Sequence, residues 1–288
     1  MSKFHKIFKK SKPIIGVIHF PPLLGYKNYP GFEYIKNKTF NDLKALEQGG
    51  VDAILLENNY DIPHRVFVEP ETIAQMTLLA KLVREKTKLP LGIIVLWNDY
   101  KASLSIAKIV GAQFIRLPVF VDKVRTSYGK IIGEPKKVIA YQKKIGAEDI
   151  AIFTDIQVKH AKMLEKKDLA TSAKQAIKAG SDGLIITGEW TGDAPRLEAI
   201  KKVKKSVADF PVLIGSGITD KNIKKFFRYV DGAIVGTFFK TGKYLDKKQE
   251  INIKGYKEII DIRKVKSLVS AAIFLPKNLK IVKIKMRL

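Results

Sequence analysis

Eight short apolar runs, each followed by an amphipathic stretch of helical length, repeat along the chain between Ile14 and Phe239. The runs are rich in Val and Ile and are apolar on both faces, which is typical of parallel strands covered by helices. Eight such units predict an α/β fold of the closed (β/α)8 TIM barrel type, because open doubly wound sheets more often contain about five or six strands. The predicted strands are 14–19, 53–57, 91–96, 114–118, 150–155, 183–187, 212–215 and 233–236, and the predicted helices are 40–48, 70–87, 102–110, 135–144, 169–179, 194–207, 220–229 and 255–265.

The barrel accounts for residues 13–265 as one domain and leaves a charged segment at each end of the 288-residue chain. Residues 1–12 contain five Lys and no acidic residue, and we interpret them as a basic N-terminal tail. Residues 266–288 form a basic C-terminal extension. Its last residues, 284–288, alternate apolar and basic side chains in the way that an edge strand does.

The formal net charge of +25 raises the question of polyanionic partners. Only eight of the 53 basic residues are Arg, and no helix-turn-helix, RNP or zinc-finger spacing occurs, so we expect no specific nucleic-acid binding. Residues 1–12 and 276–288 supply ten of the 25 charges. A weak contact with an anionic membrane or an acidic protein would form there. A second copy of the chain, in a homo-oligomer, is a further partner that the sequence allows.

The chain contains no Cys, which excludes disulfide frameworks and thiol nucleophiles and favours a reducing compartment. No apolar segment reaches the 18 or more residues of a membrane span. The apolar run after the first lysines contains His19 and is interrupted by Pro21 and Pro22, so a buried strand is a better interpretation than a signal peptide. We therefore expect a cytoplasmic protein, with peripheral binding to the inner face of a membrane as the alternative.

Ionisable or amide side chains stand at six successive predicted strand ends. In a parallel barrel the working groups lie where each strand ends and its loop begins. Imidazole, carboxyl, amine and guanidinium groups transfer protons or stabilise developing negative charge. The catalytic candidates are His19, Glu57, Arg116, Asp155, Lys159 and His160. The substrate-binding candidates are Asn58, Asp61, Asn98, Asp99, Thr187 and Gly188.

The residue types suggest how the work is divided. Asp155 and His160 are the expected general acid and base, and His19 with Glu57 forms a second proton-transfer pair. The cationic candidates, Arg116 and Lys159, would stabilise developing negative charge. Two alternatives stay open at this point: an internal salt bridge between the Asp155 and Arg116 side chains, and a Schiff-base role for the amine at 159, which would require a lowered pKa.

Glycine-rich turns follow the last two predicted strands. Glycines let backbone N–H groups approach an anion closely, and a helix N-terminus adds the positive end of its dipole. The pair of turns is similar to the phosphate site that many barrels form after strands seven and eight. The phosphate-binding candidates are Gly215, Ser216, Gly217, Gly236, Thr237 and Lys240. The alternative is that the first two glycines only make a tight turn.

The residues at the strand ends are compatible with one kind of cofactor, a divalent metal ion. Neutral His with Asp or Glu binds Zn²⁺ or Mn²⁺, and five such side chains could converge at one mouth, namely His19, Glu57, Asp61, Asp155 and His160. No ligand spacing requires this site, so we assign no cofactor. The remaining histidines, His5 and His64, are expected on the surface.

Taken together, the motifs at 16–25, 57–63, 155–161, 215–219 and 234–237 resemble the BtpA/SgcQ family, and the match runs in order over residues 13–265. The resemblance implies a ribulose-phosphate-binding-type barrel. It says less about activity: a cyanobacterial member is linked to accumulation of photosystem I and is described as an extrinsic membrane protein, while SgcQ-like members accompany sugar-metabolism genes.

Two functional hypotheses follow. The first is an enzyme of the lyase, isomerase or hydrolase type that binds a small phosphorylated metabolite, such as a sugar or nucleoside phosphate, at the barrel mouth. The second is a peripheral membrane-associated biogenesis or stability factor, photosystem-related in a photosynthetic host, that uses the barrel as a scaffold.

Overall fold

The computed structural model describes residues 1–242 and 255–273. Eight parallel strands form a closed barrel in which each strand pairs with its neighbours and the last pairs with the first. In chain order these are β1 (Ile14–His19), β2 (Ala53–Glu57), β3 (Leu91–Ile94), β4 (Phe114–Leu117), β7 (Ala151–Asp155), β9 (Gly183–Ile186), β10 (Val212–Gly215) and β11 (Gly232–Val235). The predicted TIM barrel is confirmed, and every predicted strand overlaps an observed one.

The helices of the described residues are α1 (Lys3–Ile7), α2 (Phe32–Gly49), α3 (Pro70–Lys86), α4 (Tyr100–Val110), α5 (Pro135–Lys144), α6 (Leu169–Lys178), α7 (Leu197–Val207), α8 (Ile223–Phe226) and α9 (Ile262–Ile273). The prediction of a helix at 220–229 was too long. Asn222 explains the late start of α8, because its side chain accepts a hydrogen bond from the Thr219 N–H and donates one to the Gly217 carbonyl. These bonds hold the preceding residues in a turn.

The apolar core consists of one layer between the sheet and the helices and a second inside the barrel. Phe114 and Phe153 are the largest barrel-interior side chains contributed by the strands, with ring centroids 5.1 Å apart. Gly92 makes room for them, since a Cβ there would come within 2.0 Å of the Phe114 ring. The interior is therefore packed solid below the mouth, as in other small barrels.

The N-terminal segment, which the sequence predicts as a basic tail, packs against the bottom of the barrel through its aromatic residues. Phe4 and Phe8 are 1% and 4% exposed and lie one helical turn apart. Their rings pack against Phe114 and Phe153 at centroid distances between 5.9 and 6.1 Å. The segment acts as an aromatic plug.

Lysines of the same segment bind acidic and carbonyl groups of the barrel bottom. Lys3 lies 3.3 Å from a carboxylate oxygen of Asp182, and Lys10 lies 3.2 Å from Asp52. Lys12 donates to the Val230 carbonyl at 2.6 Å. These amines are therefore partly engaged with the protein itself.

The helical barrel extends past the expected boundary at residue 265. Helix α9 continues to Ile273, and Val265 and Leu268 are fully buried. Gly49 at the end of α2 allows this contact, because a Cβ there would lie 2.2 Å from the Val265 side chain. The expected edge strand at 284–288 lies outside the described residues.

A small antiparallel sheet, which the sequence pattern did not reveal, covers one side of the mouth. It consists of β5 (Lys123–Thr126), β6 (Gly129–Ile132) and β8 (Lys162–Met163). Its inner residues Val124 and Ile131 pack with Trp97 in a separate apolar cluster. Among the helices of 1–242 and 255–273, none has the length and apolarity needed to cross a membrane.

The aromatic plug predicts a large stability loss on truncation. Phe4→Ala should lower the free energy of unfolding by about 3 to 5 kcal/mol, because it removes a buried ring and opens a cavity at the barrel bottom. Urea denaturation measures this change. Ile109→Ala, at a helix position that is 70% exposed, is the control and should change stability by about 0.5 kcal/mol or less. Equal effects of the two substitutions would contradict the plug.

Candidate functional site

A cavity of about 260 Å³ opens at the carboxyl ends of the barrel strands. Its floor is apolar, with Val17, Ile94 and Ile234, and its walls are polar. Ten expected site residues line it: His19, Glu57, Arg116, Lys159, His160, Ser216, Gly217, Gly236, Thr237 and Lys240. The closed barrel thus brings together groups that are more than 200 residues apart in the chain.

His19 and Glu57 face each other at the ends of two neighbouring strands. They are direct partners in the β1–β2 register, and the His19 Nε2 lies 3.8 Å from a Glu57 carboxylate oxygen. Burial, reinforced by the Lys240 and Lys159 charges, holds the pKa of His19 well below its usual range. Burial also raises the pKa of Glu57, although Arg116 and the two lysines oppose this change. Burial therefore favours the neutral imidazole of His19 and shifts Glu57 towards its protonated form.

Asp155 is the counter-ion of Arg116 and does not act as a free acid. Arg116 donates from Nε and Nη2 to the two carboxylate oxygens, each at 2.8 Å. Asp155 is 1% exposed and does not line the cavity, whereas Arg116 does. The expectation of Asp155 as general acid is corrected to the alternative salt bridge, because both of its oxygens are occupied.

Lys159 and His160 follow β7 and approach the loop after β9. The Lys159 Nζ and the His160 Nε2 bind the Thr191 hydroxyl at 3.1 and 2.8 Å. Burial, with the neighbouring Lys159 charge, lowers the pKa of His160 to about 3. Its ring is therefore neutral at pH 7, and its Nε2 is engaged with the Thr191 hydroxyl.

The pKa of Lys159 is lowered to about 8 by burial and by the Arg116 charge. No carboxylate of the described residues lies within 4.0 Å of its amine. The amine therefore supplies positive charge at neutral pH that is not neutralised by a paired carboxylate, and a bound anion can use it.

Lys240 lies on the opposite side of the cavity and stands over an aromatic ring. Its Nζ lies 2.5 Å from the Tyr60 hydroxyl and 4.8 Å from the ring centroid. Burial is the largest cause that lowers the pKa of Lys240, to about 8. Burial likewise raises the pKa of Tyr60, which stays protonated. Tyr60 was not among the expected site residues, although its position three residues after Glu57 could have identified it as a residue of the barrel mouth.

The two glycine-rich loops meet at the cavity wall, but without the expected helix. Ser216 and Gly217 have left-handed backbone angles, with φ of 70° and 62°. The Ser216 hydroxyl donates to the Trp190 carbonyl and accepts from the Gly192 N–H. Helix α8 has only four residues and starts at Ile223, so the expected helix dipole does not contribute to anion binding. The backbone of the loop remains the candidate anion-binding group.

Gly217 and Gly236 also have packing roles. A Cβ at Gly217 would come within 2.1 Å of the Ala194 nitrogen, and a Cβ at Gly236 within 2.6 Å of the His19 ring. Both glycines therefore let neighbouring groups approach closely, and Gly236 sets the position of the imidazole. Gly215 lies in β10 and is not part of the cavity wall.

Four of the expected substrate-binding residues instead hold the loops in place. Asn58 binds Asp61 and the Leu96 N–H, and the other Asp61 oxygen accepts from the Leu23 N–H. Asn98 bonds to both backbone groups of Val119, and Asp99 caps α4. All four side chains are at most 7% exposed and point away from the cavity. Their polar atoms are satisfied internally, so the substrate-binding assignment is corrected.

Thr187 and Gly188 also organise a loop. The Thr187 hydroxyl accepts from the Lys159 N–H at 3.2 Å, and a Cβ at Gly188 would come within 2.3 Å of the Asp193 carbonyl. Neither residue lines the cavity. They position Lys159 and the loop that carries Thr191.

The metal alternative finds no support in the part of the chain that is described. Within it, no group of three His, Asp or Glu side chains could hold an ion. The five residues that the sequence suggested do not converge, because Asp155 binds Arg116 and Asp61 binds Leu23 and Asn58.

His64 is buried, contrary to the expectation of a surface position. It is 5% exposed, lines the cavity and lies edge-on to Tyr128 at 5.1 Å. Burial lowers its pKa to about 4. His5 in α1 is exposed, as expected.

The fold and the site define a (β/α)8 barrel with a polar cavity at the carboxyl ends of its strands. The chain belongs to the BtpA family, whose model matches residues 10–272.

Relatives of the chain span nearly its whole length. An uncharacterised protein of Methanocaldococcus jannaschii is 37% identical over 259 residues, which cover 89% of this chain and 96% of that protein. The photosystem I biogenesis protein BtpA of Synechocystis is 34% identical over 236 residues, covering 81% and 82%.

Solved structures share the fold at low identity. The (S)-3-O-geranylgeranylglyceryl phosphate synthase of Thermoplasma acidophilum, in complex with sn-glycerol-1-phosphate, gives a TM-score of 0.57 at 15% identity and covers 93% of this chain and 96% of that one. The N-(5'-phosphoribosyl)anthranilate isomerase of Pyrococcus furiosus gives 0.54 at 13% identity, covering 92% and 100%.

The lowered pKa of Lys240 predicts a pH-dependent effect of Lys240→Met on stability. Between an unfolded pKa of 10.5 and a folded pKa of about 8, the unfolded state binds a proton that the folded state does not, so wild type loses stability as pH falls through this window. Relative to the Met variant, wild type should lose about 2 kcal/mol between pH 9.5 and pH 7. Urea denaturation of both proteins at the two pH values measures this difference. A difference that does not change with pH would contradict the lowered pKa.

Proposed function

We propose that this protein is an enzyme that binds a small phosphorylated metabolite, such as a sugar or nucleoside phosphate, in the barrel mouth. One observation carries the proposal: the loops after β10 and β11 enter the same cavity as the partly exposed amine of Lys159 and the buried amine of Lys240, and neither amine has a paired carboxylate among the described residues. Desolvated cations next to accessible loop backbone form an environment that favours a phosphate group.

The position of the remaining charges supports the same orientation. Arg116 is already paired with Asp155, and the carboxylates of Asp193 and Glu258 lie at the half-exposed rim. Arg116, Lys159 and Lys240 bring three cations to the cavity wall, and of these Arg116 is bonded to Asp155. Lys159 and Lys240 are therefore the cations that would bind a phosphate between the Ser216 and Thr237 loops.

Proton transfer is the chemistry that the inner groups favour. Glu57, with a raised pKa, would move the proton, and neutral His19 would orient it or pass it on. Arg116 and Lys159 would stabilise negative charge that develops on the substrate. This assignment replaces the expected Asp155 and His160 pair and suits an isomerase, a lyase or a hydrolase.

The names of structural neighbours agree with a phosphorylated ligand. The synthase is in complex with sn-glycerol-1-phosphate, and the isomerase is named for a phosphoribosyl compound. Because the identities are 15% and 13%, these likenesses support the ligand class as a proposal and say nothing about the reaction.

The second candidate function, a biogenesis or stability factor, has its support in the name of the Synechocystis relative. It would use exterior basic residues to bind an anionic membrane or an acidic protein. The N-terminal lysines contribute less than expected, because Lys3 and Lys10 are paired with acidic residues and Lys12 with a carbonyl. We therefore rank this function second.

An added carboxylate in the phosphate loop tests the ligand. Inorganic phosphate or a sugar phosphate at about 100 times its Kd should stabilise wild type by about 2.7 kcal/mol, and Ser216→Asp should abolish the thermal shift by repelling the anion. Ser11→Asp adds the same charge at an exposed position near the barrel bottom and should leave the shift unchanged. No shift in wild type, together with salt-sensitive binding to anionic vesicles, would favour the second function.

The two lowered lysine pKa values predict how anion affinity depends on pH. Sulfate keeps its charge across the neutral to alkaline range, so a change in its Kd reports the protein. As pH rises through about 8, Lys159 and Lys240 lose their protons, and the Kd for sulfate should rise at least about tenfold between pH 7 and pH 9.5, or about 1.4 kcal/mol. Isothermal titration calorimetry measures it, and an unchanged Kd would exclude both amines from the anion site.

A further inference from the structure

Lys240 lies against Tyr60, a contact that the phosphate proposal does not use. It is 7% exposed, and no carboxylate of the described residues lies within 4.0 Å of its amine. Its polar partner is the Tyr60 hydroxyl, which is neutral. A buried lysine ordinarily has a counter-ion, because an unpaired buried charge is costly. The environment therefore favours an amine that spends time without its proton.

The main chain around this amine is fixed from three directions. The Lys240 N–H donates to the Thr237 carbonyl at 3.1 Å, and residue 240 forms an antiparallel bridge with Ile260. The Lys264 amine donates to the Lys240 carbonyl at 2.5 Å. These contacts fix the main chain of Lys240, and the Tyr60 hydroxyl and ring hold its amine at the cavity wall. A reacting group requires such a defined position.

Tyr60 is placed to exchange protons with the amine. Its ring lies edge-on to His19 at 6.1 Å and to Tyr256 at 5.9 Å, so it stands between the proton-transfer pair and the cavity rim. Its phenol stays protonated in this buried site, so the O–H can donate a proton to an oxygen and recover one from nitrogen.

We infer that Lys240 is a catalytic nucleophile that forms a Schiff base with the carbonyl carbon of an aldehyde or ketone phosphate, with Tyr60 as the proton shuttle. The inference deepens the proposed function and rests on it. It assigns the substrate to a narrower class, that of phosphorylated carbonyl compounds.

The step is balanced without any co-reactant. The nitrogen lone pair of the neutral amine forms the C–N bond while the carbonyl oxygen takes the Tyr60 proton. Tyr60 then recovers a proton from the nitrogen, which gives a neutral carbinolamine. Tyr60 donates this proton to the carbinolamine hydroxyl group, which leaves as water as the nitrogen lone pair forms the C=N bond. The iminium N–H can return its proton to the Tyr60 phenolate, which gives the neutral imine. Hydrolysis reverses the sequence and releases the amine.

Lys159 is less suited to this role. It is half-exposed, its amine is held by Thr191, and the cation of Arg116 is among its neighbours. The hydrogen-bond partner of its amine is the Thr191 hydroxyl, whereas the partner of the Lys240 amine is a phenol. We therefore keep Lys159 as a source of fixed positive charge.

Reductive trapping tests the inference on the full chain. Wild type is incubated with glyceraldehyde 3-phosphate and borohydride in an amine-free buffer, and the adduct is located by peptide mass spectrometry. At pH 7 a lysine with a pKa of about 8 has about 300 times the neutral fraction of one at 10.5. We expect Lys240 to be trapped at least about tenfold faster than any exposed lysine, with a rate that rises through pH 8.

Variants separate the nucleophile from its shuttle. Lys240→Met should remove the fast adduct, and Tyr60→Phe should slow it at least about tenfold while leaving the unfolding temperature close to that of wild type. A merely structural tyrosine would change the unfolding temperature and leave the pH profile of trapping where it was.

Two results overturn the inference. The first is trapping spread over exposed lysines or centred on Lys159, and the second is the absence of an adduct on Lys240. Stabilisation by inorganic phosphate, measured on the same preparation, tells the failures apart. If it persists, only the Schiff base is wrong, and if it is also absent, the proposed function fails as well.

Discussion

The bidentate ion pair between Arg116 and Asp155 sets the charge balance of the barrel mouth. It joins β4 to β7 with two hydrogen bonds of 2.8 Å and uses Asp155, which with Glu57 is one of two buried carboxyl groups that end the described barrel strands. Removing either partner would leave an uncompensated charge in the interior, at a cost of about 3 to 5 kcal/mol. Because both Asp155 oxygens bind Arg116, Glu57 is the buried carboxyl group that lines the cavity with Lys159 and Lys240.

The strand-end residues divide into two sets according to whether their polar atoms have hydrogen-bond partners inside the protein. The side chains whose polar atoms find partners inside the protein, such as Asn58, Asn98 and Asp99, fix the loops. Those whose partners are incomplete line the cavity, among them Lys159 and the His19 Nδ1, which has no hydrogen-bond partner among the described residues. Incomplete pairing is tolerated there because a ligand can complete it.

The sequence was sufficient for the barrel and for the position of the mouth, but not for the pairing within it. Val- and Ile-rich runs mark the strands, and polar residues near the end of a run or in the loop after it fall at the mouth, which is how Arg116 and Lys159 were found. Glu57 and Asp155 look equivalent by that criterion. They differ in the side chain that faces them from a neighbouring strand, which is His19 for Glu57 and Arg116 for Asp155. Which side chains face each other depends on side-chain direction and on strand register. Similarly, Phe4 and Phe8 lie four residues apart, but the surrounding lysines obscured the apolar face.

The two candidate functions make different demands on the interior. A scaffold that binds partners through its exterior gains nothing from burying Lys240 over Tyr60, where a methionine would fill the space without the cost of desolvating an amine. Burial of the amine lowers stability at neutral pH, and only binding or chemistry inside the mouth uses the charge or the lone pair that this burial creates. The thermodynamic cost at residue 240 therefore favours a function inside the barrel over one on its surface.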